Sequence, residues 1–170
     1  RSLCPEQYRE QGGVPVHAQE KLQYIRESIR TVPDFPQAGI QFRDITTLLK
    51  DPRAFSYTID IMRDRYKESG IDVVVGLESR GFIFGAPLAL ALGASFVPAR
   101  KPGKLPAAFE RQAYELEYGS DELQIHKDAI QKGDRAVVVD DLRATGGTSL
   151  AANMLVEKLG GEVVENFYII

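Results

Sequence analysis

The segment from Val137 to Thr148, VVVDDLRATGGT, carries the residues best suited to chemistry in this chain. Its three valines predict a strand in the middle of a sheet, because such a run leaves no polar face for solvent. Asp140 and Asp141 follow directly, at the carboxyl end of that strand, where open α/β sheets bind their ligands. The order of residues therefore predicts a ligand site at this edge of the sheet.

A Thr-Gly-Gly-Thr loop comes next and leads into a predicted helix. Glycine lets backbone N–H groups converge on an anion, threonine hydroxyls add donors, and a helix N-terminus contributes a favourable dipole. A bare Thr-Gly-Gly is more typical of a turn, but strand, aspartate pair, glycine pair and helix in this order favour a binding loop. The segment is neither a Walker loop nor a Rossmann fingerprint. The predicted phosphate anchor is Ala144, Thr145, Gly146, Gly147 and Thr148.

The aspartates and the loop together restrict the class of ligand that can bind. Two carboxylates repel a phosphate unless they contact other groups, and ribose hydroxyls donate hydrogen bonds to carboxylates. A divalent cation would screen the remaining charge. An aspartate pair also stabilises positive charge such as develops on a sugar carbocation. We therefore predict a phosphorylated ribose, with its hydroxyls on Asp140 and Asp141.

Short apolar runs alternate with helical patterns through most of the chain. This alternation predicts an α/β fold, with a central, mainly parallel sheet and flanking helices. Asp51-Pro52 predicts a helix start, with an N-cap aspartate followed by proline at the first helical position. The polar stretch between residues 101 and 133 predicts a hairpin beside a mobile loop. The predicted strands are 71–77, 95–99, 136–140 and 162–170, and the predicted helices are 17–30, 51–69, 81–92 and 149–159.

The domain organisation follows from where these patterns begin. Residues 1–16 contain Gly12-Gly13 and show no periodicity, which predicts a disordered tail or a tag remnant. Residues 17–170 predict a single domain, with a small N-terminal hood to about residue 50 and a core from about residue 51. Pro33 and Pro36 predict an extended loop at residues 33–39.

Composition excludes several classes of protein. A formal net charge of −3 gives no general attraction to nucleic acid or to an anionic membrane. Apolar stretches are too short to span a bilayer. The single cysteine, Cys4, excludes an internal disulfide framework and fits a cytoplasmic location. With only two histidines besides, a structural zinc site is implausible.

Five motifs together resemble a known family. VVVDDLRATGGT resembles the phosphoribosyl pyrophosphate signature of type I phosphoribosyltransferases. Four further motifs make the likeness specific to adenine phosphoribosyltransferases, over about residues 20–170. They are FPQAGIQFRDIT (35–46), GLESRGFIFG (76–85), VPARKPGKLP (97–106) and YELEYG (114–119).

The resemblance implies an activity in purine salvage. It implies transfer of phosphoribosyl from 5-phosphoribosyl 1-pyrophosphate to N9 of adenine, giving AMP and pyrophosphate. It also implies a homodimer and Mg²⁺ as cofactor, held by the donor's pyrophosphate and ribose hydroxyls without direct protein ligands. Two alternatives stay open: another purine base (hypoxanthine, guanine or xanthine), or a non-catalytic regulator that binds phosphoribosyl compounds.

The resemblance also implies roles for residues outside the signature. Ser79, Arg80, Lys101 and Lys104 would bind pyrophosphate, and the last two lead into a flexible lid at about residues 102–118. On that lid Glu117 would exchange a proton with the base. Tyr118 would pack against the leaving pyrophosphate or close the site, although a tyrosine in a strand pattern also packs on a sheet. Gln41, Phe42 and Arg43 of the hood would hold adenine, although Phe42 alone would be expected in a core.

The sequence departs from the family pattern at three places. Arg143 occupies a position that is usually apolar, and either contacts phosphate or faces solvent. Residues 107–113, AAFERQA, differ from the lid sequences expected. The chain ends at Ile170, where family members continue through further hood residues, so truncation is expected there and base specificity depends on the missing part.

Overall fold

The computed structural model describes residues 17–115, 119–142 and 146–170. The chain divides into two compact units, one ending at Thr58 and one beginning at Ile59. Among the described residues, no helix has the length and apolar character needed to cross a membrane.

The first unit holds short elements. α1 spans Ala18–Ser28, β1 Arg30–Pro33, β2 Gln41–Asp44 and α2 Thr46–Lys50. β1 and β2 pair antiparallel. α3 (Pro52–Tyr66) begins in this unit and ends in the next. Asp51 caps α3 as predicted, because its Oδ1 accepts the amides of Arg53 at 2.9 Å and Ala54 at 3.2 Å.

The second unit is built on a parallel sheet. Its elements are β3 (Val73–Leu77), α4 (Gly81–Leu92), β4 (Ser95–Ala99), β5 (Phe109–Glu115), β6 (Ser120–His126), β7 (Arg135–Asp140), α5 (Gly147–Lys158) and β8 (Glu162–Tyr168). Among the described residues the sheet has four strands in the order β4-β3-β7-β8, and every neighbouring pair is parallel. β3 is buried along its whole length, as its uninterrupted apolar sequence requires.

β5 and β6 form an antiparallel hairpin whose strands end at the pair Glu115 and Ser120. The hairpin is tied to the end of β4 by a bridge in which Arg100 and Gln124 exchange backbone hydrogen bonds of 2.9 and 2.8 Å. Tyr114, Leu123 and Ile125 of the hairpin pack into the core with valines of the sheet. The hairpin is therefore fixed against the strand that leads into the basic segment.

The predicted α/β class and its parallel sheet are confirmed, and α4 and β4 have the predicted bounds. A loop was predicted at 33–39, and residues 34–39 do lie outside the helices and strands, but Pro33 is the last residue of β1, and the strand pair β1–β2 around the loop was not predicted. The predicted helix at 51–69 ends earlier, at Tyr66. Strands of four residues, such as β1 and β2, show too little alternation to be recognised in a sequence.

We expect Gly81→Ala to destabilise the protein by about 1–3 kcal/mol, because overpacking at a rigid contact costs this much. A Cβ at Gly81 would overlap the Val139 carbonyl oxygen of β7, which is backbone and cannot rotate away. Urea unfolding measures the loss. Ala86→Ser, at an exposed position of α4, is the matched control. Equal losses in the two variants would contradict close packing of α4 on β7.

Candidate active site

A pocket of about 190 Å³ opens at the carboxyl ends of β3, β4 and β7. All residues that line it belong to the second unit. This is the sheet edge at which the sequence predicted a ligand. The lining residues are Glu78, Arg80, Lys101, Asp140, Asp141, Leu142, Gly146, Thr148 and Ser149.

The two aspartates have different surroundings within this pocket. Asp141 is only 5% exposed, and its Oδ2 lies 2.9 Å from Nε of Arg80. Its carbonyl oxygen accepts the amides of Ile169 and Ile170 at 3.2 and 2.9 Å. Asp140 is partly buried, and its Oδ1 accepts the Asp141 amide at 2.8 Å. The charge of the Asp141 carboxylate is thus balanced by the Arg80 guanidinium. The Asp140 carboxylate instead accepts a hydrogen bond from an uncharged amide, which stabilises its ionised form less.

Burial raises the pKa of Asp140 to about 7. This value is a net result: burial, the largest cause, and the neighbouring Asp141 carboxylate raise the pKa, while the Asp141 amide and the Arg80 charge lower it. Near neutral pH the Asp140 carboxyl therefore divides between its protonated and ionised forms. A ligand that brings positive charge or hydroxyl donors would favour the ionised form.

Ser79 and Arg80 lie between β3 and α4, after a cis peptide bond at Glu78–Ser79. Arg80 stands at the N-cap of α4, and Gly81 follows it against the backbone of β7. Because β3 and β7 are neighbours in the sheet, this loop brings Arg80 beside Asp141. Ser79 is close in sequence but is not part of the pocket lining.

The described part of the predicted phosphate anchor lies at the start of α5, beside the pocket. Gly146 has a φ of +84°, a conformation that favours glycine, and α5 begins at the next residue. Gly146 and Thr148 line the pocket, so the N-terminus of a helix of 12 residues meets it. Ser149, buried at 5% exposure, also lines it and was not predicted. Arg143, Ala144 and Thr145 lie outside the described residues.

The basic segment contributes one of its cations to the pocket lining. Lys101 lines the pocket, whereas Lys104 is exposed and outside the lining. Arg100 is held by Glu78, with 2.9 Å between Nε and Oε2. Arg100 therefore has a structural partner, which a count of charges in the sequence does not reveal.

Glu78 was missed by the sequence prediction. Its Oε2 also accepts the Lys101 amide at 2.8 Å, and the hydrogen bond from Arg100 lowers its pKa. Like Asp141, it directly follows a strand of the parallel sheet and lines the pocket. Its position directly after β3 was the available signal.

The predicted adenine-binding residues belong to the first unit. Gln41, Phe42 and Arg43 lie on β2. The ring of Phe42 meets that of Phe35 edge-on, with 5.2 Å between centroids, and Nη1 of Arg43 donates to Oγ1 of Thr31 at 2.7 Å. Glu117 and Tyr118 lie outside the described residues.

Comparison with known proteins identifies the class of protein to which the chain belongs. The family model described as "Phosphoribosyl transferase domain" matches residues 44–169, which include the pocket. An adenine phosphoribosyltransferase of Yersinia pseudotuberculosis is 58% identical over 151 residues, covering 89% of this chain and 81% of the relative.

Solved structures agree with this match. The crystal structure of adenine phosphoribosyltransferase from Thermoanaerobacter pseudethanolicus superposes with a TM-score of 0.82 at 53% identity, covering 86% of each chain. The Saccharomyces cerevisiae enzyme, complexed with D-2,5-dideoxy-2,5-imino-altritol 1,6-bisphosphate and adenine, gives 0.80 at 42% identity, covering 88% of this chain and 90% of that one. The chain belongs to the adenine phosphoribosyltransferase family.

We expect Asp140→Asn to stabilise the protein increasingly as the pH rises from about 4 to about 7. The folded-state pKa of Asp140 is raised to about 7, so the folded protein binds more protons than the unfolded chain in this window and loses stability as they leave. The difference should reach roughly 2 kcal/mol after allowance for solvent screening. Thermal unfolding across the pH range measures it.

Asp128→Asn is the control, because that carboxyl is exposed in the turn after β6. A constant difference between Asp140→Asn and the wild type from pH 4 to pH 8 would show that Asp140 ionises normally.

Proposed function

We propose that this chain transfers phosphoribosyl from 5-phosphoribosyl 1-pyrophosphate to N9 of adenine, giving AMP and pyrophosphate, as a step of purine salvage. The observation that carries the proposal is one pocket that combines the buried Asp141, the partly buried Asp140, two cations and the N-terminus of α5. Adenine as the base is supported by the relatives' names and by the adenine in the S. cerevisiae complex.

The pocket residues suit the three parts of the donor. Gly146 and Thr148, at the start of α5, would bind the 5′-phosphate through backbone amides, a hydroxyl and the helix dipole. Asp140 would accept hydrogen bonds from the ribose hydroxyls. Arg80 and Lys101 would bind the pyrophosphate, Arg80 with its planar fork of donors and Lys101 as a point charge.

Bond cleavage develops charge that these residues can stabilise. As the bond from C1′ to the pyrophosphate oxygen breaks, its electron pair leaves with pyrophosphate and C1′ becomes positive. The Asp140 and Asp141 carboxylates stabilise the sugar cation, and the Arg80 and Lys101 charges stabilise the leaving group. N9 of adenine then forms the new bond to C1′, and the proton that the imidazole ring of the base loses passes to Glu117.

Mg²⁺ is the proposed cofactor. Within residues 17–115, 119–142 and 146–170, no group of three or more His, Cys, Asp or Glu side chains could hold a metal ion. Asp140 lies beside the proposed phosphate site, and its raised pKa shows that its negative charge is only partly balanced by its surroundings. Such a site fits a cation that arrives with the donor and is held mainly by the donor's oxygens. Bound there, Mg²⁺ would neutralise charge on the pyrophosphate.

Three further parts of the proposal rest on the sequence. Gln41, Phe42 and Arg43 would hold the base, since an aromatic ring stacks on a base and backbone amides read its edge. Association as a homodimer follows from the family resemblance. A cytoplasmic location follows from the single cysteine.

We expect the wild-type protein, with the donor and Mg²⁺, to convert adenine to AMP much faster than it converts hypoxanthine, guanine or xanthine. Product formation from the four bases, followed by chromatography, tests this. Faster conversion of another base would show that this base, and not adenine, is the preferred substrate. Donor binding without release of pyrophosphate from any base would favour the non-catalytic regulator.

Replacing Asp140 and Asp141 together by Asn should lower kcat by about 100-fold or more, because charge stabilisation in the transition state is lost. The loss of stability, measured by thermal unfolding, should be far smaller than this loss of activity. Glu157→Gln, an exposed change on α5, should leave kcat unaltered. AMP formation near the wild-type rate by the double variant would reject the assigned role of the aspartate pair.

A further inference from the structure

The Lys101 side chain is held by the β5–β6 hairpin. Its ammonium donates hydrogen bonds to Oδ2 of Asp121 and, at 2.5 Å, to the hydroxyl of Tyr114. The Tyr114 hydroxyl in turn lies 3.1 Å from Oδ2 of Asp121, and Nζ lies 5.2 Å from the centre of the Tyr114 ring. Three side chains from two parts of the chain thus form one cluster beside the pocket.

Both partners of Lys101 are themselves fixed. Tyr114 is only 9% exposed and packs in the core. Oδ1 of Asp121 accepts the Glu122 amide at 2.7 Å, which sets the orientation of the carboxylate. The cluster therefore offers the ammonium a rigid acceptor rather than a second flexible side chain.

The main chain of Lys101 is held independently of this cluster. Its amide donates to Glu78, and the preceding residue, Arg100, bridges to Gln124. Loss of the Asp121 carboxylate would therefore deprive the lysine side chain of its charged acceptor and leave the basic segment in place. This separation makes the effect of Asp121 measurable.

The charge on Lys101 also depends on the cluster. Partial burial lowers the pKa of Lys101, but the hydrogen bonds and charges of Asp121 and Tyr114 outweigh burial and raise it. The pKa of Asp121 is lowered, first by its hydrogen bond with Lys101. Both groups are thus charged near neutral pH.

We propose that Asp121, with Tyr114, is a positioning residue that holds the Lys101 ammonium at the wall of the pocket for the donor's pyrophosphate. An ammonium has three N–H donors. Two are used by the hairpin, which leaves one for a pyrophosphate oxygen. A lysine already ordered in this way loses less side-chain freedom when the donor binds. The inference rests on the proposed function, since it requires pyrophosphate at Lys101.

A purely electrostatic role would have the opposite sign. The Asp121 carboxylate reduces the net positive charge beside the pocket, so its removal would strengthen donor binding if charge alone mattered. Positioning predicts weaker binding instead. The direction of the change therefore separates the two accounts.

A double-mutant cycle tests the proposal. Donor affinity is measured by calorimetry with Mg²⁺ for the wild type, Asp121→Ala, Lys101→Ala and the double variant. We expect Asp121→Ala to weaken donor binding about fivefold, the cost of ordering one long side chain. In the Lys101→Ala background the same change should have almost no effect, because its target is gone. The KM for adenine should stay constant in Asp121→Ala.

Two further variants keep the test decisive. Tyr114→Phe should weaken donor binding in the same direction without removing a charge. Glu110→Ala, which breaks the 3.2 Å ion pair with Lys127 in the same hairpin, should leave donor affinity unchanged. An equal loss from Asp121→Ala with and without Lys101 would overturn the proposal, as would unchanged or tighter binding in Asp121→Ala.

The outcomes also separate this inference from the proposed function. Donor binding by the wild type without AMP formation would reject the proposed function, while the cycle would still decide the role of Asp121. AMP formation by the wild type with no effect of Asp121→Ala would reject the inference alone. Failure of the wild type to bind the donor would reject both.

Discussion

The adjacency of β3 and β7 is the constraint on which the site depends. Their parallel pairing brings the loop after each strand to the same edge, so that Arg80 and Asp141 meet at 2.9 Å. The close contact of Gly81 with the Val139 carbonyl oxygen keeps α4 against β7. With Asp141 occupied by Arg80, Asp140 is left partly buried with a raised pKa. The ion pair and the sheet together thus set the chemistry of the pocket.

The parts of the site that could be predicted from the sequence are those specified by residues close together in the chain. The valine run before Asp140 and the glycines before α5 act on their immediate neighbours, so their order along the chain specifies strand, loop and helix. The parallel sheet follows from the alternation of such segments. Lys101 was also named from the sequence and lines the pocket, because its basic segment follows the end of β4.

The parts that could not be predicted depend on contacts between distant residues. Glu78 and Arg100 are 22 residues apart in the chain. Because they pair, Arg100 is held by a structural partner, whereas the sequence pattern alone would have left it as a cation for binding phosphate. Asp121 reaches Lys101 because the hairpin folds back on the end of β4. Ser149 lines the pocket as a result of where the first turn of α5 lies. None of these contacts has a signature in residue order.

The central claim is that this edge binds a phosphorylated ribose with Asp140 as an ionised acceptor. Calorimetric titration of the donor with Mg²⁺ at pH 6, in buffers of different ionisation enthalpy, counts the protons released on binding. Because the pKa of free Asp140 is about 7, the wild type should release nearly one proton more than Asp140→Asn at pH 6, and the difference should vanish at pH 8.5. Equal proton release by the two proteins at pH 6 would contradict the account.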